Sequence, residues 1–409
     1  MEHYIAARSM KPLEKNDIIA ISAMAKKDRA MGNRVVDGSI GTFLDDDRTL
    51  GKVETIDKAL SEHVTDCLGY PSVYGDPEYV EAVEDWVFED KKEKIKNDFH
   101  VFTGATIGGT GALSIAFNLF LEPLEAVLLP DVMWTNYILI AKKASDSFVT
   151  YNMFNEEGGL DIESIKEKIE TQFAKGERVL LVINDPCQNP TGYCMSEEEY
   201  DNLFEMLNEE GKKGKLTVLF DIAYLSYYDV KDSKCKLIDK LSEGKTTFLP
   251  LIVFSCSKVF GLYGLRMGAL IALALDEEEK DEIHNSFGAQ ARGVYSVPVG
   301  SSQHAVAKAL KNKNVRQKLL DEIEHNKKVL GERGKALLEE LEDAGIEHYP
   351  YGSGFFVTIK VKNAFDVFEK LKKEHIYIVP MNEHSMRIAL SGMTKEDGVI
   401  LVEALKRIL

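Results

Sequence analysis

The chain has 409 residues, 44% of them hydrophobic and 29% charged, and carries a formal net charge of −17. That length exceeds what one small core organises and implies two or three domains, while the negative balance opposes unspecific binding to nucleic acid or to an anionic membrane surface. No apolar run reaches the roughly 18 residues of a membrane span, and Met1–Lys15 lacks a signal-peptide apolar stretch, so a cytoplasmic protein is expected.

Between about residues 100 and 275 short apolar runs alternate with amphipathic stretches. Strands are expected at Ala126–Pro130, Phe148–Asn152, Val179–Asn184, Thr217–Asp221, Leu251–Ser255 and Ala269–Leu273. Helices are expected at Thr110–Leu121, Asn136–Ser145, Ile162–Lys175 and Ser196–Glu210. This alternation predicts an α/β architecture, a mainly parallel sheet covered by helices on both faces. After Pro298 the pattern becomes α+β. A long charged helix runs from about Val315 to Ala344, then a strand at Gly354–Val361, a helix at Ala364–Glu374, a strand at Met386–Ala389 and a helix from Lys395. The expected organisation is a large domain over 51–300 and a smaller one assembled from 1–50 and 301–409. The five cysteines (Cys67, Cys187, Cys194, Cys235, Cys256) form no CxxC pair. Neither a disulfide framework nor a zinc site is indicated, and the thiols read as reduced and mostly buried.

In open α/β sheets ligands bind at the carboxyl ends of the strands, and three such ends carry polar groups here. Asn189 follows the strand Val179–Asn184 within Asn-Pro-Thr-Gly; Asp221 ends its strand, with Tyr224 three residues on; Ser255, Ser257 and Lys258 follow the strand Leu251–Phe254. Each group alone has an ordinary explanation: a cap, a turn, a common Ser-x-Ser-Lys. Together they suit a flat, anionic, aldehyde-bearing cofactor, pyridoxal phosphate. Lys258 offers the primary amine for a Schiff base. Asp221 can hold a proton on the pyridine nitrogen by ion pairing, and Tyr224 and Asn189 can donate to the phenolic oxygen. Ser255, Ser257 and Arg266 suit the phosphate, as does the start of the helix that follows Gly108-Gly109-Thr110-Gly111. Trp134 could stack on the ring. No metal site is expected.

At these residues the sequence resembles the aspartate aminotransferase branch of the fold-type-I pyridoxal-phosphate enzymes. The motifs are Gly-Gly-Thr-Gly-Ala-Leu (108–113), Asn-Pro-Thr-Gly (189–192), Phe-Asp-Ile-Ala-Tyr (220–224) and Ser-Lys-Val-Phe-Gly-Leu-Tyr-Gly-Leu-Arg-Met-Gly (257–268). The resemblance covers the chain from about Ile40 to the C-terminus. It implies a large three-layer domain, a smaller α+β domain, and a homodimer with shared active sites. It also implies roles for single residues. Arg387 would grip the substrate α-carboxylate, which suits a bidentate guanidinium. Arg292 would reach from the partner subunit to a second carboxylate. Tyr70, with Tyr74 as a rival, would reach the phosphate across the interface, and Gly41 would close over substrate. The position three after Trp134, usually His in aspartate-type members, is Tyr137 here. The reaction implied is amino transfer between an amino acid, aspartate first, and 2-oxoglutarate. Aromatic or broad specificity stays open, as does a lyase or decarboxylase of the same fold. A cofactor-binding regulator fused to a DNA-binding module would need a basic helix-turn-helix segment, for which residues 1–50 are too few and not basic enough.

Overall fold

The computed structural model describes residues 18–51, 53–176, 178–228 and 236–409. The N-terminal stretch Met1–Lys15 and Cys235 lie outside them. The chain divides into two compact units. One is Leu50–Gly331 with Pro350–Phe355; the other is the chain up to Thr49 with Glu332–Tyr349 and Phe356–Leu409. The division falls within the helix Lys313–Asp343. Among the described residues no helix is long and apolar enough to cross a membrane.

Eleven strands are formed among the described residues: β1 (Val36–Gly38), β2 (His100–Thr106), β3 (Val127–Pro130), β4 (Phe148–Tyr151), β5 (Arg178–Asn184), β6 (Lys215–Asp221), β7 (Leu249–Ser255), β8 (Gly268–Ala274), β9 (Phe356–Lys360), β10 (Ile376–Asn382) and β11 (Ser385–Ala389). The larger unit holds a seven-stranded sheet in the order β2-β8-β7-β6-β5-β3-β4. Strands β3 to β7 pair in parallel. β8 runs antiparallel to both of its neighbours, β7 and β2. The sheet is therefore mainly parallel, as expected.

The inner strands read as unbroken apolar runs because both of their faces are covered. β7 and β8 are buried at every position. On one face Val182, Leu219, Val253 and Leu270 pack with Leu113 and Phe117 of the helix Gly108–Phe120 and with Phe287 of the helix Glu277–Val294. β2 accommodates Phe287 through a glycine. A Cβ on Gly104 would lie 2.5 Å from the Phe287 ring, so this edge of the sheet can be covered only where the side chain is missing. Helix ends follow local chemistry. Ser196 caps the helix Glu197–Gly211 by a reciprocal bond with Glu199, and Asp161 caps Ile162–Phe173.

The smaller unit holds a four-stranded sheet, β1-β10-β11-β9. β1 pairs in parallel with β10, so the chain before Thr49 joins residues near its far end. Around this sheet Arg48 forks onto both carboxylate oxygens of the buried Asp397 at 2.7 and 2.9 Å. Arg333, also buried, reaches the Leu44 carbonyl and Asp46. These bidentate and carbonyl contacts fasten the N-terminal segment where three residues of strand would hold it weakly.

Candidate active site

The register of the large sheet brings five strand termini to one edge. Asn184, the last residue of β5, lies opposite Asp221, the last of β6, and Asp221 lies opposite Val253 of β7. Ser255 ends β7 opposite Gly268, which begins the antiparallel β8. Thr106 ends β2 opposite the same Gly268. The residues just before Gly268 and just after Thr106 therefore meet those following β5, β6 and β7.

At the β2–β8 end sits an anion cradle. Gly108, at φ +75°, opens the helix Gly108–Phe120, and no side chain caps that helix. Its first N–H groups are left to another acceptor. A Cβ on Gly108 would lie 2.6 Å from Arg266 Nη2, and one on Gly109 would lie 3.4 Å from Ser255 Cβ. The two glycines thus admit the arginine and the serine to the helix start. Arg266 has a left-handed backbone, φ +53°, and its Nη1 donates to Ser257 Oγ at 3.1 Å and to the Tyr263 carbonyl at 2.9 Å. Ser255 and Ser257 are buried, and Thr110 is half-buried one residue into the helix beyond Gly109. Two hydroxyls, a guanidinium and a bare helix start form a set of donors that suits a phosphate.

At the β5–β6 ends the donors change to a buried carboxylate. Asp221 accepts from the Tyr137 hydroxyl at 2.6 Å and from the Ala223 N–H at 3.1 Å. Burial pushes its carboxyl up to about 6 from the ordinary 3.8, against the lowering effect of these two bonds. Tyr137 stays a neutral donor, because burial, with the Asp221 charge beside it, pushes its phenol well above the usual range. Trp134 meets the Tyr137 ring edge-on, with centroids 5.5 Å apart. Tyr137→Phe removes one donor to Asp221, so the carboxyl should titrate higher than about 6. The check is the pH dependence of urea unfolding of the cofactor-free variant; an unchanged midpoint would separate Tyr137 from Asp221.

Sequence reasoning missed Asn184. Its Nδ2 donates to the Asp221 carbonyl at 2.8 Å, and its Oδ1 accepts from the Asn189 N–H at 2.9 Å. It therefore ties the Asn189 loop to the Asp221 strand. The available signal was an Asn closing an apolar strand five residues before Asn189. Asn189 is buried, and its Nδ2 lies 3.4 Å from the buried Tyr224 hydroxyl. Lys258 is half-buried in the short helix Cys256–Val259. Its Nζ sits 4.9 Å from the centre of the Tyr263 ring, 5.4 Å from Phe355 and 5.8 Å from Tyr224. Phe355 also went unread from the sequence.

The remaining candidates belong to other elements of the chain. Tyr70 is 94% exposed, whereas Tyr74 stacks on His284 at 3.9 Å. Arg292 is exposed in the last turn of the helix Glu277–Val294. In the smaller unit Arg387, on β11, is buried; its Nη2 donates to the Ser39 carbonyl at 2.7 Å, and its guanidinium lies 4.4 Å over the Phe356 ring. Gly41 is buried two residues beyond Ser39.

The family described as aminotransferase class I and II matches residues 34–405. The chain belongs to that family. The aminotransferase is 26% identical over 389 residues to an aspartate aminotransferase of Salmonella typhi, covering 90% of this chain and 92% of that one. It is also 26% identical over 412 residues to an aromatic-amino-acid aminotransferase of Paracoccus denitrificans, covering 97% and 98%. A crystal structure of an aminotransferase from Anaerococcus prevotii superposes with a TM-score of 0.92 at 26% identity, covering 99% of both chains.

Proposed function

We propose that this aminotransferase moves an amino group between a dicarboxylic amino acid, aspartate first, and 2-oxoglutarate. Its cofactor is pyridoxal phosphate. The observation that carries the assignment is the convergence at one sheet edge of a primary amine, a buried carboxylate and a phosphate-type donor set. Lys258 would hold the cofactor aldehyde. Asp221 would pair with the pyridine nitrogen, and Asn189 and Tyr224 with the phenolic oxygen. Gly109, Thr110, Ser255, Ser257 and Arg266 would take the phosphate, and Trp134 the ring face. When bound, the cofactor supplies an electron sink for the bonds at the substrate Cα.

The chain's own residues would do the rest. Lys258, once freed by the substrate amine, would be the group that takes and returns the proton at the substrate Cα. Asp221 would hold the proton on the ring nitrogen. Arg387 would take the α-carboxylate, a group every amino acid has, and Gly41, Trp134 and Asn189 would contact the substrate. Tyr70 is the better candidate for a partner subunit's phosphate, because Tyr74 is engaged by His284 in its own chain. The functional unit proposed is a homodimer in the cytoplasm. Amino donor alone, added to stoichiometric enzyme, should convert one equivalent of cofactor to its amine form and release one of keto acid. A lyase or decarboxylase would not do this.

Specificity turns on Arg292. Similarity to both aspartate and aromatic-amino-acid enzymes makes aromatic acceptance the second reading. Removing one partner of a buried charge pair costs about 2–5 kcal/mol, and about 1.4 kcal/mol is tenfold. Arg292→Ala should therefore lower kcat/KM for aspartate by roughly one and a half to three and a half decades, and for aromatic donors much less. Mixing this variant with Lys258→Ala under subunit exchange should restore aspartate activity, since one site of the heterodimer keeps both residues. No recovery despite proven exchange would remove Arg292 from the partner's site.

A further inference from the structure

The loop that carries Asn189 is closed by two cysteines. Gln188 N–H donates to the Tyr193 carbonyl at 2.9 Å, which sets Cys187 and Cys194 opposite one another as the next pair outward. Their sulfurs lie 3.9 Å apart, and the Cys187 N–H donates to Cys194 Sγ at 3.3 Å. Cys194 is half-buried and Cys187 fully buried. Burial pushes the Cys187 thiol well above its usual range. Within the loop, then, Cys194 is the thiol that an oxidant reaches first.

The pair lies against the segment that ends at Phe355. Gly352 and Ser353 both donate their N–H to the Gly192 carbonyl, at 2.9 and 3.0 Å. A Cβ on Gly352 would lie 3.1 Å from Cys194 Sγ, and one on Gly354 would lie 3.1 Å from Cys187 Sγ. Two glycines thus fit that segment onto the two thiols. Beyond them Ser353 Oγ donates to the Tyr227 carbonyl at 2.6 Å, and the Phe355 ring packs on Tyr224 and Tyr227 and faces Lys258 Nζ.

We propose that Cys187 and Cys194 form a reversible disulfide that lowers aminotransferase activity by displacing Asn189 and the Gly352–Phe355 segment. The oxidant is a peroxide. Cys194 sulfur attacks one peroxide oxygen and the O–O bond breaks, giving a sulfenic acid on Cys194 and one water. Cys187 sulfur then attacks Cys194 sulfur, the S–O bond breaks, and the hydroxide leaves with the Cys187 proton as a second water. Two thiols are oxidised and one hydrogen peroxide is reduced to two waters. A disulfide needs its sulfurs at about 2.05 Å, so closing the 3.9 Å gap moves the two side chains that Gly352 and Gly354 pack against. Misplacement of about 1 Å near the reacting groups can cost 10²-fold.

The functional half of the proposal rests on the placement of Asn189 at the cofactor. Reduced holoenzyme is treated with hydrogen peroxide at low molar excess, digested without reduction and mapped by mass. The expected product is a single cross-link between Cys187 and Cys194. Turnover is expected to fall roughly ten- to a hundredfold and to return on adding dithiothreitol. Cys194→Ser and Cys187→Ser should keep their turnover under the same exposure. A cross-link to Cys67, Cys235 or Cys256, or sulfinic acid at Cys194 without a cross-link, overturns the site. Equal loss in wild type and Cys194→Ser also overturns it. A complete cross-link without loss of turnover overturns the switch. Asn189→Ala then shows which premise failed: if it too keeps normal turnover, the reading of Asn189 has failed as well; if it is impaired, only the switch has failed.

Discussion

Lys258→Ala should abolish turnover while the purified protein still binds pyridoxal phosphate without a covalent bond. The phosphate donors, the Asp221 carboxylate and the Asn189–Tyr224 pair are all independent of the lysine side chain, so cofactor affinity should drop without vanishing. Catalysis has no such reserve. A positioned proton carrier is worth about 10²–10⁴-fold by itself. The Lys258 amine sits 4.9 Å from the ring centre of Tyr263, 5.4 Å from that of Phe355 and 5.8 Å from that of Tyr224. Borohydride reduction of the yellow wild-type protein, followed by peptide mapping, should place the adduct on Lys258. Labelling of another lysine, or measurable turnover in the variant, would sink the assignment.

The parts of this site that were legible in the sequence are those where one residue type answers one chemical need at a strand end. β5, β6 and β7 could be found because buried parallel strands read as apolar runs, and the polar groups that end them stand out. The elements that escaped lack such a signal. β2 reads His-Val-Phe-Thr-Gly-Ala-Thr and is held by antiparallel pairing to β8, far along the chain. β1 is three residues long and is paired only with β10. β10 contains Pro380, which argues against a strand; it is tolerated where the register with β11 shifts, between Pro380 and Asn382. The strand expected from Gly354 begins instead at Phe356, because Gly354 takes φ +96° against Cys187. In the site, the resemblance marked Tyr137, three residues after Trp134, where aspartate-type members usually carry His, and the structure bonds it to Asp221. Asn184 and Phe355 act through backbone carbonyls and ring packing, which no local pattern encodes. The pairing of Cys187 with Cys194 was hidden for the same reason: their spacing matches no metal or redox motif, and only the Gln188–Tyr193 closure sets them opposite.

Asp221→Asn should cost activity and, in cofactor-free protein, add stability. Folding raises this carboxyl from 3.8 to about 6, chiefly through burial. Between those values the folded chain holds a proton that the unfolded chain has lost, so stability falls as pH rises through the window and the full cost remains above it. A shift of that size corresponds to about 3 kcal/mol. The amide cannot ionise, so the cofactor-free variant should lose the decline between about pH 4 and 6 and should be more stable than wild type near neutrality by up to about 3 kcal/mol. Bound cofactor reverses the comparison. Its pyridinium charge would offset the burial of the Asp221 carboxylate in wild type and would have no counter-charge in the variant, and breaking a buried pair costs about 3–5 kcal/mol. Turnover should therefore fall by roughly two to three and a half decades, with the loss mainly in kcat, because the ring nitrogen's proton matters most where charge develops on the ring. Urea unfolding of both cofactor-free proteins at pH 4, 5, 6 and 7.5, alongside steady-state kinetics of the holoenzymes, measures both sides. Near-normal turnover would leave Asp221 as a cap on its strand. A variant whose stability still declines from pH 4 to 6 as steeply as wild type would show that the buried charge lies on another residue.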